Sequence, residues 1–283
     1  MKGTGYAARM PRSEGIALVL GGGGLVGGAW ELGVIDSLTE RGLGTADLVL
    51  GTSIGSIVGA AVCSGTSADT VLRAAAATEA ELRTYLEQSD PALIGRIMGR
   101  GYGLERSERA AIGALAALAA TGREPHFVDL VGTLLPGADW PPHLAISAVD
   151  IEDGSFVVWN EQSGVPLSLA VAASCAGPGI FPPVEVDGHR YTDGGIRSPT
   201  NADRAAGHAL VVIIAGIDDP DFSELVAEES TGLSAAGAHV VAILPDVESS
   251  VAIGPNGLDV ARLDAAFAAG RRQAQSAAEL VLD

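Results

Sequence analysis

The sequence predicts an α/β fold with a mostly parallel central sheet, and three observations carry that prediction. Ile16-Ala17-Leu18-Val19-Leu20 and Ala209-Leu210-Val211-Val212-Ile213-Ile214-Ala215 are unbroken apolar runs of strand length, the pattern of strands covered on both faces. The first run passes directly into the glycine cluster Gly21–Gly24 and then into Trp30, Val34 and Leu38 at helical spacing. A second strand and helix, Asp47–Leu50 and Ile54–Cys63, repeat that order, and repeated strand–helix units favour parallel strands joined by crossovers.

Residues 1–14 read as a flexible N-terminal tail, and residues 15–283 as one domain, because no low-complexity linker divides them. After the strand at 16–20 and its glycine loop, a helix is predicted over 29–38. The alanine-rich stretch 67–86 predicts one helix, broken by Asp90-Pro91. Residues 93–104 (LIGRIMGRGYGL) mix apolar, basic and glycine residues and read as a connector or lid. Helices are expected over 105–120 and 127–135, the second stopped by Pro136-Gly137. Asp153-Gly154 and Asp187-Gly188 each stand between short β-rich runs, a hairpin signal: 144–149 with 155–159, and 184–186 with 189–191. A helix of small residues at 166–173, strands at 209–215 and 239–244, and a final helix over 258–282 with Asn256 as its capping candidate complete the order.

Composition narrows the function. Of 283 residues 47% are hydrophobic and only 18% charged, with 35 acidic against 17 basic side chains and a net charge of −18. That balance argues against nucleic acid as a partner, because phosphate binding needs clustered Lys and Arg. Strong electrostatic docking on anionic membranes is disfavoured for the same reason. Cys63 and Cys175 sit in apolar stretches and read as buried thiols of a reducing compartment, so the expected location is cytoplasmic. The run from Gly15 to Ile35 is apolar, but its glycines and Glu31 argue against a transmembrane segment, and the N-terminus shows no secretory signal. No His, Cys and carboxylate cluster has metal-ligand spacing, and no cofactor is expected.

Two glycine-rich bends carry the chemistry. Gly51-Thr52-Ser53-Ile54-Gly55 has the pattern Gly-x-Ser-x-Gly between a strand and a helix. Such a turn exposes the serine oxygen above a helix N-terminus, a setting for a nucleophile. The stretch from Gly22 to Gly27 can turn backbone N–H groups toward a developing oxyanion, with Gly23 and Gly24 the candidates. The same loop, Gly22-x-Gly24-x-x-Gly27, also fits a dinucleotide fingerprint. That reading needs an acidic residue at the end of the next strand, whereas Asp47 stands at its start. A base is also required. Among His126, His143, His189, His208 and His239, the chain order of an α/β-hydrolase admits His208 or His239, yet both look like strand-edge residues. Asp193, followed by Gly194 and Gly195, is the better candidate, although Asp-Gly is also a common turn.

The set GGGGLVGGAWELGV, GTSIG, ASCAGPGIFPPV and DGGIRSPTNA, in that order over about residues 16–202, resembles the patatin-like phospholipase family. The resemblance implies a three-layer α/β/α fold, hydrolysis of lipid acyl esters, and a Ser–Asp dyad with no catalytic histidine. It places the nucleophile at Ser53, the base at Asp193 and the oxyanion donors at Gly23 and Gly24. Gly22, Gly27, Gly51, Gly55, Gly194 and Gly195 are then motif glycines. The family usually has Arg or Lys where this chain has Val26, and Arg197 is the substitute cation to examine. Pro178, Phe181, Pro182 and Pro183 either shape a loop or wall the acyl site. The expected partners are a lipid or acyl-ester substrate and a transient, peripheral contact with a membrane surface. Two other readings stay open: a non-catalytic lipid- or protein-binding relative that keeps the fold, and a His-dependent α/β-hydrolase.

Overall fold

The computed structural model describes residues 15–98, 100–119 and 121–282, so the expected tail at 1–14 lies outside the described residues. Strand β1 (Ile16–Leu20) leads into α1 (Gly24–Glu40), and β2 (Leu48–Gly51) into α2 (Ile54–Cys63). Five helices follow: α3 (Ala68–Ala77), α4 (Glu79–Gln88), α5 (Pro91–Met98), α6 (Arg106–Leu118) and α7 (Glu124–Leu134). The hairpin β3 (Leu144–Asp150) and β4 (Phe156–Trp159) precedes α8 (Leu167–Cys175), and the hairpin β5 (Val184–Val186) and β6 (His189–Asp193) follows it. The chain closes with β7 (Leu210–Ile214), α9 (Pro220–Ala235), β8 (His239–Ile243), α10 (Val247–Ile253) and α11 (Leu263–Leu282).

The strands form one mixed sheet in the order β5-β6-β3-β2-β1-β7-β8, with β4 on β3. From β3 to β8 the pairing is parallel, and β4, β5 and β6 add antiparallel neighbours. Strand side chains alternate between faces. Leu18, Leu20, Val212 and Ile214 therefore join a core with α1, α2, α7, α8 and α11 on one side. Ala17, Val19, Val211 and Ile213 join a second core with Phe222, Val226 and Leu233 of α9 on the other. Both faces are covered, which is why the strands read as unbroken apolar runs, and the result is the expected three-layer α/β/α arrangement. Among the described residues no helix is long and apolar enough to cross a membrane.

The structure departs from the sequence reading at several boundaries. Helix α1 begins at Gly24 rather than Ala29, so Gly27 and Gly28 lie inside it and allow close packing: a Cβ on Gly27 would stand 3.0 Å from the Gly216 carbonyl. The predicted helix over 67–86 is two helices meeting at Thr78, whose buried hydroxyl donates to the Ala75 carbonyl. Asp90-Pro91 starts a helix instead of only ending one. Pro91 opens α5, and the Asp90 carboxylate accepts from the N–H groups of Ala92 and Leu93. The final helix begins at Leu263. Asn256 receives the Leu258 N–H in a local turn and does not cap it. Helices α9 and α10 had no counterpart in the expectations, and each carries an aspartate N-cap, Asp219 and Asp246.

Candidate functional site

Strand β3 brings the two glycine-rich bends together. Its first half pairs with β2, where Gly51 faces Ile146, and its second half pairs with β6, where Asp193 faces Ala148. Because β4 occupies the opposite edge of β3 along Ile146–Val149, β2 and β6 share one edge. One runs parallel to β3 and the other antiparallel, so their C-terminal ends meet head to head. Ser53 lies just past one end, and Asp193 is the last residue of the other.

Ser53 has φ 55° and ψ −128°, a conformation few non-glycine residues adopt and one that costs on the order of 1–3 kcal/mol. Packing on either side enforces it. A Cβ on Gly51 would lie 2.5 Å from the Ser56 Cα, and one on Gly55 would strike the Leu20 carbonyl, so the bend requires both motif glycines. The C-terminal end of α8 braces both bends. The Ser174 hydroxyl accepts the Ser53 N–H at 2.9 Å, and the Ala176 carbonyl accepts the Asp193 N–H at 3.1 Å.

Asp193 is buried, and desolvation pushes its carboxyl up to about 6. The Gly195 N–H, donating at 2.7 Å, and the nearby Ser53 hydroxyl oppose that rise. Gly194 opens a short 3-10 turn after the aspartate. On the glycine loop, the Gly22 N–H donates to the Pro199 carbonyl and the Gly27 N–H to the Gly23 carbonyl. Among the described residues no acceptor meets the N–H groups of Gly23, Gly24, Leu25 or Ile54. Gly23 (φ 154°) and Gly24 (φ 68°) use backbone angles that side chains disfavour.

Sequence reasoning did not assign the polar network beneath these bends. Asn201, in the left-handed region at φ 53°, donates through Nδ2 to Thr52 Oγ1 (3.1 Å) and to the Ser198 carbonyl (2.7 Å). Thr52 Oγ1 lies 2.8 Å from Ser147 Oγ. The Glu229 carboxylate of α9 accepts from Ser198 Oγ at 2.7 Å and from Thr200 Oγ1. Asn201 stands in the stretch DGGIRSPTNA together with Ser198, but Thr52 and Ser147 reach it from the bend after β2 and from β3.

The remaining candidates fall elsewhere. His208 and His239 stand at the N-terminal ends of β7 and β8, the edge of the sheet opposite Ser53, so neither can act on it. Asp47 lies at that far edge as well and accepts the Ile16 N–H, which removes the acidic partner a dinucleotide would need. Arg197 is paired with Asp203 and lies over the Phe156 ring, and it does not border the cavity described below. Cys63 and Cys175 are free thiols, and burial holds both well above the usual thiol range.

A cavity of about 1230 Å³ opens over Gly23, Gly24, Ser53 and Asp193. Ile94 and Ile97 of α5, with Tyr102, form one wall, so the segment expected as a connector is part of the chamber. Pro178 and Phe181 line it, whereas Pro182 and Pro183 do not. A smaller apolar recess of about 60 Å³ continues past Ser53 between Ile57, Leu82, Phe127 and Phe181.

Residues 18–206 match the family model of patatin-like phospholipases, which covers more than half of the chain. The chain belongs to the patatin-like phospholipase family. It is 33% identical over 187 residues to an uncharacterized NTE family protein of Mycobacterium bovis, covering 66% of this chain and 44% of that protein. It is 30% identical over 214 residues to patatin-like phospholipase domain-containing protein 7 of Mus musculus, covering 74% of this chain and 14% of that one. The chain thus spans less than half the length of these curated relatives. Among solved structures, the type III effector ExoU matches 96% of the chain and 54% of its own, at 15% identity and a TM-score of 0.46. Within this patatin-like chain, Val26 is fully buried on α1 and its N–H donates to the Gly257 carbonyl.

Proposed function

We propose that this patatin-like chain, acting through residues 15–283 as one catalytic unit, is a serine acyl hydrolase that cleaves carboxylic esters of lipids. The observation that supports it best is the meeting of Ser53 and Asp193 at the joined ends of β2 and β6, beside amides that have no acceptor among the described residues. In the first half-reaction Ser53 Oγ attacks the ester carbonyl carbon while Asp193 takes its proton. The N–H groups of Gly23 and Gly24 stabilise the oxyanion, and the N-termini of α1 and α2 add a favourable field. Collapse breaks the ester C–O bond, Asp193 returns the proton to the departing alcohol, and the acyl group stays on Ser53. Water then attacks the acyl-enzyme with Asp193 again accepting the proton. The second collapse frees the fatty acid, and the proton returns to Ser53.

The apolar lining suits an acyl chain, and Val247 and Val251 stand 84% and 72% exposed at the mouth, where a peripheral contact with a lipid surface would form. Ser53→Ala is expected to abolish hydrolysis of a p-nitrophenyl acyl ester and labelling by a fluorophosphonate. Wild-type turnover in that variant would overturn the assignment.

A further inference from the structure

Resting on the hydrolase reading, the charges around the cavity point to the part of the substrate that is not the acyl chain. Among the described residues, three charged ones border the chamber: Asp193, Asp218 and Arg262. Asp193 is occupied with Ser53 and Gly195. Arg262 is committed to the protein. Its Nη1 donates to the carbonyls of Val251 (3.1 Å) and Ala252 (3.2 Å) at the end of α10, and its Nε lies 3.3 Å from the Asp259 carboxylate. Its guanidinium also packs on Gly254, where a Cβ would stand 2.7 Å from Cζ. Asp218, by contrast, is exposed and forms no ion pair among the described residues.

The position of Asp218 gives this charge its weight. It follows Ile217 in the loop leaving the C-terminal end of β7. A Cβ on Gly22 would lie 3.7 Å from the Ser53 Cβ and 3.8 Å from Ile217 Cδ1, so this loop borders the reacting serine. Asp219 and Asp221 follow, and their charges act on Tyr102 of the same chamber. Among the described residues that line the chamber, an anionic headgroup would meet a free carboxylate and no uncommitted cation, in a protein of net charge −18.

We propose that the cavity selects acyl esters whose alcohol portion bears no negative charge, and that Asp218 is the residue that sets this selectivity. Neutral glycerides and esters of cationic alcohols fit, and phosphate monoesters of acylglycerols do not.

The test reads binding and leaves ester turnover aside, so its outcome is separate from that of the Ser53→Ala assay. Three non-hydrolysable twelve-carbon probes are titrated into the full chain by calorimetry below their micelle concentrations: dodecyl glycerol ether, dodecyltrimethylammonium and dodecyl phosphate. The phosphate is expected to bind about tenfold or more weakly than the glycerol ether, and Asp218→Asn to narrow that gap about threefold. Phosphate binding as tight as the ether, a gap that Asp218→Asn leaves unchanged, or no binding by any probe would each overturn the proposal. Arg262→Gln gives an independent arm, because selective loss of phosphate binding there would identify Arg262 as a headgroup receptor and contradict it.

Discussion

Asp193 is a weaker acid in the folded chain than in water, because burial penalises its charge more than Ser53 and Gly195 relieve it. With its carboxyl near 6, the ionised form that the proposed base needs appears as pH rises through that value, so kcat/KM for a soluble ester is expected to climb between about pH 5 and 7 and then level off. Stability should move the other way. The folded state holds this proton more tightly than the unfolded state, whose value is 3.8, so stability falls as pH rises from 3.8 to about 6. That difference corresponds to about 3 kcal/mol above pH 6. Asp193→Asn should therefore melt higher than wild type at about pH 8 while losing turnover, and its advantage should vanish below about pH 4. Thermal scans across pH check both halves. Ser53 and Asp193 could be picked from the sequence as candidates because each sits in a short glycine pattern, and the structure brings them to adjoining strand ends. Asn201 could not be picked, because its bond to Thr52 spans 149 positions and no local pattern announces it.

At the level of elements, α1 and α11 lie unusually close. A Cβ on Gly33 would strike the Phe267 carbonyl, and one on Gly270 would strike the Trp30 carbonyl. Gly33→Ala or Gly270→Ala would force the helices apart, and each is expected to cost about 1–3 kcal/mol. For a chain of this size that lowers Tm by roughly 2–4 °C per kcal/mol. An unchanged Tm in both variants would refute the close-contact account. Close approach at other glycines of α1 explains a missed boundary. Glycine reads as loop in sequence, so α1 was expected to start after the cluster, whereas α1 tolerates Gly27 and Gly28 for approach to Gly216 and Ile54. Strands β1, β2 and β7 were legible because burial on both faces leaves continuous apolar runs. The start of α9 was legible in principle, since Asp219-Pro220 is a cap followed by a favoured first residue, but the helix's mixed polar surface gave no strong period.

For the whole molecule, net charge governs which lipid surfaces are approachable. At −18 the chain is repelled by anionic headgroups, and salt weakens that repulsion. Co-sedimentation of Ser53→Ala should be greater with phosphatidylcholine vesicles than with phosphatidylserine-rich ones at low salt, and the difference should shrink as sodium chloride is raised. A preference for phosphatidylserine at low salt would contradict it. The sheet also has a mechanical side. Nothing along the lengths of β2 and β6 ties one to the other. While α8 braces the two bends from the side, β3, which supplies neither of the two proposed catalytic side chains, pairs with both strands and so sets their spacing along the sheet. It is a ruler, and lengthening it by two residues would keep every side chain on its proper face yet part hydroxyl and carboxylate by about 7 Å. Evolution can remodel the chamber walls freely, but that span has one workable value.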